Sequence, residues 1–184
     1  GERLTTHPTA GMLLAAAAMQ VPAGPERNAV IRDRLSGADL SANALRGALL
    51  SVACLTEDLS AIKGFAGRLL RQDSLTSGPA WAELAPAGAA LVIGNPPWEK
   101  LRVSRHEAAK GAGAVRDYGQ SFEHDVDLSN DRSRLIAYVQ QVASGMRLQG
   151  RGEHDLYKLF LELGMGIAAQ EGVLAQLLPA GLIR

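Results

Sequence analysis

Apolar residues along the chain come in short runs separated by turn-forming residues, and the spacing within the runs changes between helical and strand periods. Residues 11–20, dominated by Ala and Leu after Gly11, predict a helix. The stretch VPAGPE, from Val21, breaks it. In RLSGADLSANALRGALLSVACL a short strand is expected to end near Asp39, with Ser41 capping a helix that runs through Leu55. GRLLRQDSL has an apolar centre, Leu69 and Leu70, and ends in polar turn residues; TSGPAWAELAPAG then reads as a loop. Ala89 to Ile93 is the clearest strand. Glu99 to about Gly150 is polar and poor in strand signals, with one expected helix, DRSRLIAYVQQVASGM. DLYKLFLELGMGIAAQ reads as a helix and GVLAQLLP as a buried strand. Alternating helices and apolar strands with short connections predict an α/β fold with a largely parallel sheet. In such sheets ligands sit at the carboxyl ends of strands. Asp39, Asp73 and Asn95 each fall where an expected strand ends.

Composition narrows the function only a little. The 184 residues suit one domain, 47% hydrophobic and 21% charged, with 19 basic against 19 acidic residues. A dedicated DNA-coating protein is usually basic, so any contact with nucleic acid is expected to be local or completed by another part of the protein. Glu99–Arg116 carries a basic excess (Lys100, Arg102, Arg105, Lys110, Arg116), which reads either as a phosphate-tracking segment or as a solvated face. The acidic run that follows, and His106, His124 and His154, lack metal-ligand spacing and read as solvated. Cys54 is the single cysteine, which excludes a disulfide within the chain and fits a cytoplasmic setting. GMLLAAAAMQV is too short to span a bilayer. The absence of an initiating methionine reads as a piece of something longer.

The most informative stretch is LVIGNPPWEK, Leu91 to Lys100. Two successive prolines remove two backbone donors and fix φ twice, and the first holds Asn95 extended. An ordinary turn needs none of this. The chemistry it suits is methylation of an exocyclic amine, whose lone pair is delocalised into its ring. Acceptors must hold the two N–H groups and localise the lone pair toward an electrophile. Asn95 offers a side-chain carbonyl and Pro96 a backbone carbonyl on a rigid scaffold. Trp98 can stack on a base, worth about 1–3 kcal/mol, and a duplex base must flip out to reach it. The bland reading of Asn95–Trp98 is a rigid turn with Trp98 in the core.

IGNPPWEK resembles the catalytic loop of amino-group methyltransferases that use S-adenosylmethionine, whose pattern is Asn/Asp/Ser-Pro-Pro-aromatic. The tryptophan form after a short apolar strand most resembles the N6-adenine-specific DNA methyltransferases of restriction-modification and phage-defence systems. DLYKLFLELGMGIAAQEGVLAQLLPAGLIR is similar to the helix–strand unit that follows this loop in those enzymes. The resemblance implies a three-layer Rossmann-like core over residues 1–184, with 99–150 as a polar insertion. It implies Asn95, Pro96, Pro97 and Trp98 as catalytic residues, and Trp98, Asp155 and Tyr157 at the target base. SGADLSANAL resembles the unit whose acidic residue, here Asp39, bonds the cofactor ribose. LLRQDSL resembles the unit whose aspartate, here Asp73, recognises the cofactor adenine. THPTAGMLLAAA aligns with the start of the cofactor-binding core, usually Asp-Pro-x-x-Gly-x-Gly. That places Pro8 and Gly11 at the cofactor, with His7 in the aspartate position and no second glycine.

The implied reaction is direct in-line transfer of a methyl group from S-adenosylmethionine to adenine N6 of DNA, without a metal. A recognition region or subunit outside this chain is implied. Protein-glutamine and RNA guanine N2 methyltransferases use similar loops, because a planar amide nitrogen poses the same electronic problem. A degenerate core that binds DNA or partner proteins without catalysis is the alternative of another class, supported by the altered first motif. Asp39 and Asp73 also have a bland reading as helix-capping or turn residues, and Tyr157 one as helix packing.

Overall fold

The computed structural model describes residues 4–6, 11–76, 78–98, 129–148 and 155–180. Its elements in chain order begin with β1 (Leu4–Thr6), α1 (Met12–Met19), α2 (Pro25–Asp33), β2 (Leu35–Asp39) and α3 (Ala42–Ala53). They continue with α4 (Leu59–Ala66), β3 (Leu69–Arg71), α5 (Gly78–Leu84) and β4 (Ala89–Gly94). The last three described elements are α6 (Ser129–Ser144), α7 (Leu156–Ile167) and β5 (Ala168–Gln176). The strands form one open parallel sheet in the order β3-β2-β1-β4-β5. The chain winds outward from β1 to β3, then returns to the far side of β1 for β4. The strand order therefore reverses between β1 and β4, and a crevice at that point is where open α/β sheets take ligands.

Both faces of β2 are covered. Leu35 packs into a cluster with Leu14 and Ala18 of α1, Val30 and Ile31 of α2, Ala48 and Val52 of α3, and Ala61 and Phe65 of α4. Ala38, three positions on and so on the opposite face, packs against Trp81 and Leu84 of α5, with Leu163 and Ile167 of α7 beside them. A parallel strand buried on both sides needs this arrangement. Arg68 ties the two regions, donating to the carbonyls of Leu35 (3.0 Å) and Leu84 (3.2 Å).

Several elements depart from the sequence pattern. Leu4–Thr6, which the pattern assigned no element, is the central strand, held by backbone pairing to β2 and β4. VPAGPE does end α1, but it also starts α2: Gly24 takes φ +126°, and Pro25 fits the first helical turn, where no backbone donor is needed. The segment expected to be a loop, 76–88, contains α5, because Trp81, Leu84 and Ala85 recur at helical spacing and are buried. Helix α4 also escaped the pattern; Asp58 caps it, accepting from the amides of Ser60 (2.8 Å) and Ala61 (3.3 Å). Ser41 caps α3 as expected, accepting from the Ala44 amide. The helix expected through Gln170 stops at Ile167, since Ala168 already pairs with Ala89. Strand pairing there outweighs alanine's helix preference. GVLAQLLP, expected to be buried, lies in a strand that pairs only with β4 among the described residues, and Val173 and Leu177 stand exposed. The described residues include no helix long and apolar enough to cross a membrane.

Gly11 marks the tightest approach on the first helical face. A Cβ there would lie 2.2 Å from the Cα of Ala48, a backbone atom that cannot swing aside, whereas a Cβ on Gly47 one residue earlier meets nothing within 4 Å. Gly11→Ala is expected to separate α1 from α3 and cost about 2–3 kcal/mol. Gly47→Ala, inside α3, is expected to stabilise by about 0.5–1 kcal/mol through lost backbone freedom in the unfolded chain. Denaturant midpoints of the two variants measure the contrast.

Candidate functional site

Because every strand runs the same way, their carboxyl ends gather on one edge of the sheet. The pairings Asp39 with Arg71, Thr6 with Gly37 and Ile93, and Gly94 with Gln176 fix the order of residues along it. Asp73 follows β3, Asp39 closes β2, and Asn95–Trp98 leaves β4. Leu177 leaves β5. His7 and Pro8, the basic run from Lys100, the acidic run after it, and His106, His124 and His154 all lie outside the described residues.

The loop after β4 is fastened to β5 at both of its ends. The Leu177 amide donates to the Gly94 carbonyl at 3.0 Å, just before the prolines. The Leu177 carbonyl accepts from the Trp98 indole N–H at 3.2 Å, just after them. One residue of β5's extension thus holds a segment whose prolines cannot donate to the sheet. Pro96 is fully buried and anchors the loop, while Asn95 and Pro97 are exposed. Trp98 is 52% exposed. The bland reading, with Trp98 in the core, is not what the structure shows: the indole edge is spent on Leu177 and the ring stays at the surface. Trp81 behaves in the opposite way: it is 6% exposed and donates to the Ser74 carbonyl.

Asp39 and Asp73 both serve their local turns. Asp39 Oδ1 accepts from the Ser41 amide at 2.7 Å, which presents the start of α3. Asp73 Oδ1 accepts from the Leu75 amide at 3.0 Å. Asp73 has a second partner that the sequence pattern did not single out: Tyr138 of α6 donates its hydroxyl to Oδ2 at 2.8 Å. Tyr138 packs with Leu75, Val142 and Leu159, so its ring is held from α6 and α7 together. Beside Asp73, the side-chain amide nitrogen of Gln72 is buried without an acceptor. Such an orphan donor costs about 1–3 kcal/mol. In chemical type, the Asp73 carboxylate as acceptor and the Gln72 amide as donor suit the amino group and a ring nitrogen of an adenosyl ligand.

Asp155 and Tyr157 sit at the start of α7. Asp155 is buried and pairs with Lys158 at 2.8 Å, an ion pair that raises the lysine pKa. The Lys158 ammonium lies 5.7 Å from the Tyr157 ring centre. The first turns of α7 are tied to the loop-bearing strands through Gln176, whose side-chain amide donates to the Phe160 carbonyl at 3.0 Å. Its other amide atom, Oε1, is buried without a donor. Gly11, placed by resemblance at the cofactor, has a packing reason of its own against Ala48.

A groove of about 930 Å³ lies elsewhere, between α5, the end of α6 and α7, lined by Trp81, Val142, Met146, Leu163 and Ile167 among others. None of Asp39, Asp73, Asn95, Trp98 or Tyr157 lines it. We place the candidate site at the strand ends, where the polar groups converge, because the groove's walls are mainly apolar. Among the described residues no cluster of three or more His, Cys, Asp or Glu side chains suits a metal ion.

No protein-family model and no curated protein sequence matches the chain. Among solved structures, it is similar to a chain of the DrdV–DNA complex determined by cryo-electron microscopy, with a TM-score of 0.64 and 14% identity. The match covers 100% of this chain and 17% of that one. At such identity the likeness establishes a shared α/β fold.

Burial, then the hydrogen bond to Asp73, hold the Tyr138 phenol well above its ordinary pKa. The folded chain therefore keeps this proton at pH values where the unfolded chain has lost its own. Its contribution to stability is full below about pH 10 and falls as the pH rises beyond it. Tyr138→Phe should flatten the alkaline limb of the stability–pH curve, read from urea melts between about pH 9 and about pH 11. An unchanged limb would remove this tyrosine as its source.

Proposed function

We propose that the chain carries the three-layer, Rossmann-like catalytic core of an S-adenosylmethionine-dependent methyltransferase that modifies N6 of adenine in DNA. The observation that carries the reading is the Asn95–Trp98 loop. It leaves β4 beside the point where the strand order reverses, with Asn95 and Trp98 exposed and with Leu177 bonded to Gly94 before the loop and to Trp98 at its end. The fold shared with a chain of the DrdV–DNA complex supports DNA as the partner.

In this reading Trp98 stacks on an extruded adenine. Asn95 and the Pro96 carbonyl accept the two N–H groups of its amine, so that the nitrogen lone pair points out of conjugation and toward the electrophile. The rigid proline pair keeps those acceptors in place without reorganisation as the amine gains positive charge. Tyr157 and Asp155 border the target base. Asp39 holds ribose hydroxyls, Asp73 and Gln72 face the adenine of the cofactor, and Pro8 and Gly11 begin its binding segment. S-adenosylmethionine supplies, when bound, an electrophilic methyl group on sulfur.

In the full-length protein, Asn95→Ala is expected to lower N6-methyladenine formation by about 100-fold or more, with cofactor affinity nearly unchanged by calorimetry. Undiminished methylation would sink the reading. Asp39→Asn keeps an oxygen for the Ser41 amide and removes the charge, so it isolates the cofactor contact from the turn. It is expected to weaken S-adenosylmethionine binding about tenfold.

A further inference from the structure

We propose that Tyr138 is a positioning residue, whose hydroxyl fixes the Asp73 carboxylate for recognition of the amino group on the cofactor's adenine. The inference rests on the cofactor placement proposed above and extends it to a helix that placement does not include. Asp73 lies in the turn after β3, where its Oδ1 accepts from the Leu75 amide of the same turn. The second bond comes from α6, 65 residues along the chain, at 2.8 Å. Two bonds to different oxygens set both the direction and the plane of the carboxylate. Tyr138 itself is held by Leu75, Val142 and Leu159, so the hydroxyl is delivered to one place.

An ionised carboxylate accepts roughly four hydrogen bonds, so an incoming amine adds to the tyrosine bond rather than replacing it. A carbonyl oxygen in the same position would instead meet a fixed negative charge. The consequence is a preference for adenine over hypoxanthine that depends on the tyrosine hydroxyl. Packing alone has no such consequence, since the ring of a phenylalanine fills the same space.

The test is calorimetric titration of the full-length protein, wild type and Tyr138→Phe, with S-adenosylhomocysteine and with its inosyl analogue, which carries oxygen in place of the amine. Circular dichroism and a thermal melt establish that the variant is folded. The wild type is expected to prefer the adenosyl ligand by at least about tenfold, and the variant by less than about threefold, the loss falling on the adenosyl ligand. A variant with the wild-type preference overturns the positioning role. Tighter adenosyl binding by the variant overturns it too, since the hydroxyl would then compete with the amine. Equal binding of both ligands by the wild type removes Asp73 from the purine and Tyr138 with it, while leaving the cofactor site standing. Binding of neither ligand by a folded wild type overturns the proposed function itself. If Tyr138→Phe does not fold, Asp73→Asn serves in its place: it keeps an oxygen for the Leu75 amide and puts an N–H donor where Oδ2 stood, toward the Tyr138 hydroxyl, which can accept it, and toward the ligand. It should reverse the preference, and an unchanged preference overturns the assignment.

Discussion

Strand β4 is hydrogen-bonded in parallel to β1 on one side and β5 on the other, and two prolines follow it almost at once. Prolines cannot extend the ladder, so the chain must leave the sheet at Gly94. It leaves beside the reversal of strand order, the place where open α/β sheets take ligands. Leu177 then supplies what the prolines lack, giving its amide to Gly94 and its carbonyl to Trp98. Without β5 in register, neither group would be in reach, and the tryptophan would have no fixed edge.

The same edge of the sheet collects the other polar groups, for a reason of geometry rather than of local sequence. Parallel strands all end on one edge, so Asp39, Asp73 and Asn95, distant along the chain, emerge along the same edge, with β1 between Asp39 and Asn95. Each aspartate is also used by its own turn. That dual use is consistent with a ligand role, because a carboxylate steadied by a backbone amide is already oriented before a ligand arrives.

The helix α6 gains its importance through Tyr138. In the sequence it is one tyrosine among the apolar positions of that helix, and nothing there points to a distant carboxylate as its partner. Its partner Asp73 lies 65 residues earlier in the chain, before the polar stretch that holds the helix. The bond between them joins the end of β3 to the helix that packs on α7, and so links the cofactor side of the proposed site to the side that borders the target base.

Much of the architecture could be read directly from residue order. The strands that end at Asp39 and Gly94, and the one centred on Leu69 and Leu70, were legible as short runs bounded by turn formers. Ser41 caps α3 because a hydroxyl placed just before a helical run has donors within reach. The Asn-Pro-Pro-Trp loop was equally legible, since proline's restrictions are covalent and travel with the sequence. What escaped was whatever depends on distant partners. Leu4–Thr6 is too short to signal a strand and becomes one only between β2 and β4. Trp81 and Trp98 are the same residue type with opposite fates, decided by which surface folds over each. Ala168 leaves its helix because Ala89 is waiting to pair with it. The pairing of Tyr138 with Asp73 exists only once the sheet and α6 have been brought together. Local propensity and covalent stiffness are properties of neighbouring residues, and the sequence alone determined them; burial and long-range hydrogen bonds belong to the closed chain, and only the tertiary structure decided them.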